Sequence, residues 1–125
     1  MNQKKEFKVL IVEQDDLSAK LVAKALNIIS NNILIARSEG EAVEVCRNHR
    51  DIDLILMNYK MTETNGAEVT GQMRHYNKDV IIIAQTAFGI IGNREKAIKA
   101  GCNDYISKPL NKKSLLSIIG KNLRQ

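Results

Sequence analysis

The feature that most constrains this chain is an alternation. Short apolar runs rich in β-branched residues are each followed by a stretch of helical period, five times over. The first strand is predicted over Lys8 to Val12 and the first helix from about Asp16 to Ile29. That helix carries Leu17, Leu21, Ala25 and Ile28 on one face, and Asp15 or Asp16 can cap its open N–H groups. Asn31-Asn32 is a turn, and Ile33 to Ala36 a second strand. Ser38 and Glu41 stand three apart, as in a capping box, at the head of a helix carrying Ala42, Val43, Val45 and Cys46 and ending near Arg50. Leu54 to Met57 is a third strand, apolar without a break, which suits a strand covered on both faces. A loop to Asn65-Gly66 leads into a helix through Val69 and Met73. Val80 to Ala84 is the fourth strand. A loop through Gly89 and Gly92 leads to a helix over Arg94 to Ala100, stopped by Gly101 at C′. Asp104 to Ile106 is a short fifth strand, and Asn111 caps a last helix, Lys112 to about Leu123.

Five β-α units in 125 residues predict one α/β domain built as a doubly wound parallel sheet. At 44% hydrophobic and 26% charged residues the chain can bury a core, which excludes disorder. There is room for one such domain and no separate output module. Aromatics are only 4%, with no Trp, which argues against a stacking platform for single-stranded nucleic acid. The net charge of +5 is scattered over Lys4, Lys5, Lys8, Lys112, Lys113, Lys121 and Arg124, so solvated faces explain it better than a binding patch. Cys46 and Cys102 match no metal or redox spacing and are expected to be buried, reduced thiols. His49 and His75 have neither metal nor base spacing and are expected at the surface. The N-terminus lacks the apolar segment of a signal peptide, and no apolar run is long enough to span a bilayer, so a cytoplasmic protein is expected.

Open α/β sheets bind ligands beyond the carboxyl ends of their strands. The residues to read are therefore Glu13, Gln14 and Asp15 after the first strand, Asn58 after the third, Gln85, Thr86 and Ala87 after the fourth, and Lys108 and Pro109 after the fifth. With Asp104-Tyr105-Ile106-Ser107-Lys108-Pro109, Ile82-Ile83-Ala84-Gln85-Thr86-Ala87, Gly101-Cys102-Asn103-Asp104-Tyr105 and Asn65-Gly66 in these places, the chain resembles the receiver domains of bacterial two-component signalling, from about Phe7 to Leu123. Its phrasing is most similar to the C-terminal receivers of hybrid sensor histidine kinases.

The resemblance implies a flavodoxin-like fold with strand order 2-1-3-4-5. It also implies an acceptor Asp after strand three and an acidic pair after strand one that together bind Mg2+. Thr86, Lys108 and Tyr105 are then the phosphoryl-contact and switch positions. Asn58 stands where the acceptor is expected, and a neutral amide oxygen is a poor nucleophile that cannot form the acyl phosphate. The acidic pair reads Glu13-Gln14, and Thr62 replaces the usual Pro. A Mg2+ site at Glu13, Gln14, Asn58 and Lys60 is thus expected to be weak or lost. Lys108 is expected to pair with Glu13 or to donate to the Asn58 carbonyl. Met57 and Met61 read as packing, and Ile90 and Ile91 as a local cap or a small partner patch.

The expected function is that of a degenerate receiver, not an enzyme, acting as a phosphorylation-independent interaction module. Its partner, a sensor kinase, phosphotransfer domain or output domain, is expected on the first-helix face at Leu17, Lys20, Leu21 and Lys24, or on the face of the fourth and fifth helices. Self-association as a homodimer is compatible with this reading; contact with membrane or nucleic acid is not expected. The rivals are an ordinary receiver whose acceptor has been altered, a flavodoxin-like small-molecule binder, and a nucleic-acid binder. A single engineered change would not explain Gln14 and Thr62. The acidic run Glu13-Gln14-Asp15-Asp16 would repel the phosphate of a flavin nucleotide.

Overall fold

The computed structural model describes residues 7–58, 66–86, 93–107 and 111–123. Five strands and five helices alternate: β1 Lys8–Val12, α1 Asp16–Leu26, β2 Asn32–Ala36, α2 Glu39–Asn48, β3 Leu54–Asn58, α3 Gly66–Tyr76, β4 Ile81–Thr86, α4 Asn93–Ala100, β5 Asp104–Ser107 and α5 Lys112–Leu123. The strands form one parallel sheet in the order β2-β1-β3-β4-β5. β3 is central and all five of its residues are buried, which accounts for its unbroken apolar sequence.

Alternation along each strand sorts the core into two layers. Leu10, Val12, Ile55, Met57, Ile82 and Ala84 face α2, α3 and α4, where Ala42, Cys46, Val69, Met73 and Ala97 meet them. Val9, Ile11, Leu54, Leu56 and Ile83 face α1 and α5, against Val22, Leu26, Leu115 and Ile119. Each large side chain buried this way contributes on the order of 1.5–3 kcal/mol.

The helix starts follow local chemistry. Asp15, not Asp16, caps α1: its side chain accepts from the Ser18 N–H at 2.8 Å. Asp16 instead pairs with Lys20 at 3.2 Å and Arg37 at 2.5 Å. Ser38 accepts from the Glu41 N–H at 3.1 Å, but the Glu41 carboxylate reaches back one residue further than in a capping box, to the Arg37 N–H at 2.7 Å. Asn111 caps α5 through the Ser114 N–H at 3.1 Å. Gly101 ends α4 with φ +112°, and a Cβ there would come within 3.0 Å of the Thr70 methyl, so both backbone and space require glycine.

Several boundaries differ from expectation. α1 stops at Leu26 because the chain turns there: the Ile29 and Ser30 N–H groups both donate to the Leu26 carbonyl, and the Ser30 hydroxyl donates to Phe7 O. α2 ends at Asn48, short of Arg50. β2 begins one residue early, at Asn32, and β4 runs to Thr86 because it pairs with β3 through Asn58 and with β5 through Ser107. Leu17 and Leu21 are 66% and 60% exposed, on the face expected to be open to a partner, and Ile28, expected within the helix, lies 55% exposed in the turn beyond it; the sheet takes Ala19, Val22 and Leu26. His75 is exposed as expected, whereas His49 is half-buried, with Nδ1 3.5 Å from Lys8 Nζ. Both cysteines are free and buried.

Candidate functional site

At the carboxyl edge of the sheet three polar side chains stand in a row. Met57 is the register partner of Val12, so Glu13, one residue beyond β1, comes opposite Asn58. Asn58 in turn pairs with Gln85 on β4. All three share the strand parity of the layer that faces α1 and α5. All three are buried: Glu13 is 2% exposed, Asn58 8% and Gln85 0%.

Asn58 Nδ2 donates to both oxygens of the Glu13 carboxylate, at 3.0 and 3.1 Å. Glu13 Oε2 also accepts from the Asp15 N–H at 3.0 Å, and the Glu13 N–H donates to Ala36 O at 2.9 Å. The carboxylate is thus held by hydrogen bonds from its own loop and from the neighbouring strand. A charge-assisted bond of this kind is what permits a carboxylate to be buried.

The remaining expected residues fall around this row. Gln14 is exposed, so its amide does not belong to the buried cluster. Thr86 ends β4 opposite Ser107. Tyr105 is half-buried, paired in register with Ala84 and packed against the layer under α2, α3 and α4. Lys60, Lys108 and Pro109 lie outside the described residues, as do Met61, Thr62, Asn65, Ile90 and Ile91. Gln85 is among the residues to read after the fourth strand but is given no role there. Its side-chain oxygen and nitrogen are both buried, with no hydrogen-bond partner among the described residues. Its place at a strand end marks it, but nothing in the sequence shows that it is buried beside Asn58.

A divalent cation fits this row poorly. Mg2+ needs hard oxygen ligands and usually more than one carboxylate. Here the cluster holds one carboxylate, and the group facing it from Asn58 is a nitrogen bearing hydrogens. Among the described residues no group of three His, Cys, Asp or Glu side chains could hold a metal.

The outer face of α1 is the second candidate site. Leu17 and Leu21 fall within a narrow arc of the helix, with the exposed Lys20 and Lys24 beside them, and Ile28 is exposed in the turn that follows it. On α5, Lys113, Ser114, Ser117, Ile118 and Lys121 line a shallow depression. Among the described residues no helix is long and apolar enough to cross a membrane.

Comparison with known proteins agrees with this arrangement. Residues 9–120 match the family model for the response regulator receiver domain. The polar-differentiation response regulator DivK of Brucella anthropi is 35% identical over 105 residues, covering 82% of this chain and 85% of DivK. Among solved structures, the receiver domain of the sensor histidine kinase PA1611 from Pseudomonas aeruginosa, with a magnesium ion coordinated in its active site cleft, superposes with a TM-score of 0.79 at 27% identity, covering 92% of this chain and 95% of that one. A structure of the Saccharomyces cerevisiae phosphotransfer protein Ypd1 with the receiver domain of its response regulator Ssk1 gives a TM-score of 0.76 at 28% identity, covering 89% and 84%.

Proposed function

This chain belongs to the response regulator receiver family of two-component signalling, and from that premise we propose that it signals by protein contact alone, without carrying a phosphoryl group on residue 58. The carrying observation is the Asn58 amide, buried at the acceptor position with its nitrogen on both oxygens of Glu13. An aspartate there would offer a negatively charged oxygen to a phosphoryl donor. The amide oxygen carries no formal charge, and the nitrogen lone pair is delocalised into the carbonyl, so neither atom matches a carboxylate as a nucleophile. On this reading the domain has no chemistry of its own to perform, and the residues expected to contact a phosphoryl group, Thr86, Tyr105 and Lys108, have none to contact.

The unit that acts is a single domain over about residues 7–123, working in the cytoplasm. Its partner is a sensor kinase, phosphotransfer or output domain. The outer face of α1 supports this reading, because a helix already packed on the sheet by one face presents exposed Leu17 and Leu21 on another, with exposed Ile28 in the turn beyond it. Ssk1, which pairs with Ypd1, is a precedent for a receiver bound by a phosphotransfer protein.

The test is phosphoryl uptake. The chain and its Asn58→Asp variant are incubated with acetyl phosphate and Mg2+, and intact mass is read. The expected result is no adduct on the unmodified chain. An adduct there, mapped to any residue of the strand-end row, overturns the reading. An adduct on Asn58→Asp alone shows that the other phosphoryl-contact residues still function.

A further inference from the structure

We propose that the Asn58 amide stands in for the divalent cation between the ends of β1 and β3, so that this fold is held together there without a metal. In a sheet of this kind, carboxylates brought to adjacent strand ends repel each other, and a cation between them offsets the repulsion. Here one of the two partners is itself the positive end of a dipole. Asn58 Nδ2 lies 3.0 and 3.1 Å from the two Glu13 oxygens, close enough that the N–H groups occupy the face of the carboxylate a cation would use. The Asp15 N–H adds a second donor to Oε2 at 3.0 Å. Both Glu13 and Asn58 are buried, so water competes weakly for either group and the contact keeps its strength. Gln14, exposed beside this contact, is neutral and adds no second carboxylate at the end of β1. Two of the expected ligand positions have thus changed in the same electrostatic direction, toward a site that is satisfied when empty.

Asn58→Asp removes the donor and places a second carboxylate about 3 Å from the first, a spacing at which two like charges are strongly unfavourable. The variant should then need the cation that the unmodified chain does without. This holds or fails whatever the outcome with acetyl phosphate, since no phosphoryl group takes part.

The experiment is thermal unfolding of the full chain at neutral pH, followed by circular dichroism, with Mg2+ in millimolar excess or with EDTA. Four proteins are compared: the unmodified chain, Asn58→Asp, Asn58→Ala, and the double variant Glu13→Gln with Asn58→Asp. The unmodified chain should melt at the same temperature in Mg2+ and EDTA. Asn58→Asp should melt at least about 4 °C lower in EDTA and regain most of the loss in Mg2+. Asn58→Ala should be destabilised but blind to Mg2+. The double variant, with one carboxylate and one amide exchanged between positions, should recover stability in EDTA. A Mg2+-dependent rise in the unmodified chain as large as that of Asn58→Asp would overturn the proposal, as would an Asn58→Asp variant as stable as the unmodified chain in EDTA. If Asn58→Asp does not fold at all, the double variant decides: its folding in EDTA supports the proposal and its failure refutes it.

Discussion

Residue 58 is an amide, and its nitrogen attracts the Glu13 carboxylate at 3.0–3.1 Å where a second carboxylate would repel it. On its other side Asn58 neighbours Gln85 in register, and that residue is less well served. Both polar atoms of the Gln85 side chain are buried and have no hydrogen-bond partner among the described residues. An amide taken out of water without compensation costs roughly 1–3 kcal/mol per unmatched group. Gln85→Met keeps the length and removes the polar atoms, so it is expected to stabilise the domain by about 1–2 kcal/mol. Urea unfolding measures this, and a lower midpoint for Gln85→Met would show that the amide is satisfied in solution.

Among the elements, α3 is tied into the fold by one side chain in its last turn. Arg74 Nε and Nη2 donate to the Gly101 carbonyl at 3.0 and 2.8 Å, Nη1 to Lys78 O at 3.1 Å and Val80 O at 2.8 Å, and Nη2 also to Asn103 Oδ1 at 2.7 Å. Asn103 Oδ1 in turn accepts the Ile82 N–H at 2.8 Å. One guanidinium therefore joins the end of α3, the entry to β4 and the α4–β5 turn. Arg74→Ala is expected to cost about 2–4 kcal/mol, because several carbonyls lose their donor together. Arg74→Lys should recover only a small part, since one ammonium cannot reproduce the planar fork. Unfolding midpoints of the two variants check both statements. α1 illustrates a different property of an element. Its sheet-facing residues Ala19, Val22 and Leu26 are smaller on average than the outward Leu17 and Leu21. Small side chains let a helix approach a sheet closely.

Over the whole molecule, the core also sets the response to alkali. Cys46 and Cys102 both lie in the layer under α2, α3 and α4. Burial pushes each thiol up to about 11; beside Cys102 the Thr70 hydroxyl and Arg74 partly oppose that rise. In the unfolded chain a thiol ionises near 8.5–9. Below that pH both states keep their protons, and the cysteines add no pH dependence. Between about 9 and 11 the unfolded state releases protons that the native state retains, so stability falls as pH rises. The slope is up to about 1.4 kcal/mol per pH unit for each thiol. The Cys46→Ala, Cys102→Ala double variant should show a shallower loss of urea midpoint over that window than the unmodified chain. Equal slopes would show that the thiols are not the titrating groups.

The element order, the parallel sheet and the position of Asn58 at the end of β3 were all legible in the residues, because they depend on local periodicity and on what can follow a strand. So was the amide at position 58, since the type of side chain is a fact of composition at one position. Three things depended on tertiary structure. The face of α1 that meets the sheet could not be read, because the helix is apolar on two sides and only packing selects one. The burial of Gln85 without a hydrogen-bond partner among the described residues could not be read, because it depends on which strands lie on either side of β4. Above all, the sequence shows Asn58 and Glu13 separated by 45 positions, and nothing local says which atom of the amide faces the carboxylate. That the nitrogen does, at hydrogen-bond distance and away from water, follows from β1 and β3 being neighbours in the sheet, and the proposal of a strand end held without a metal rests on that contact.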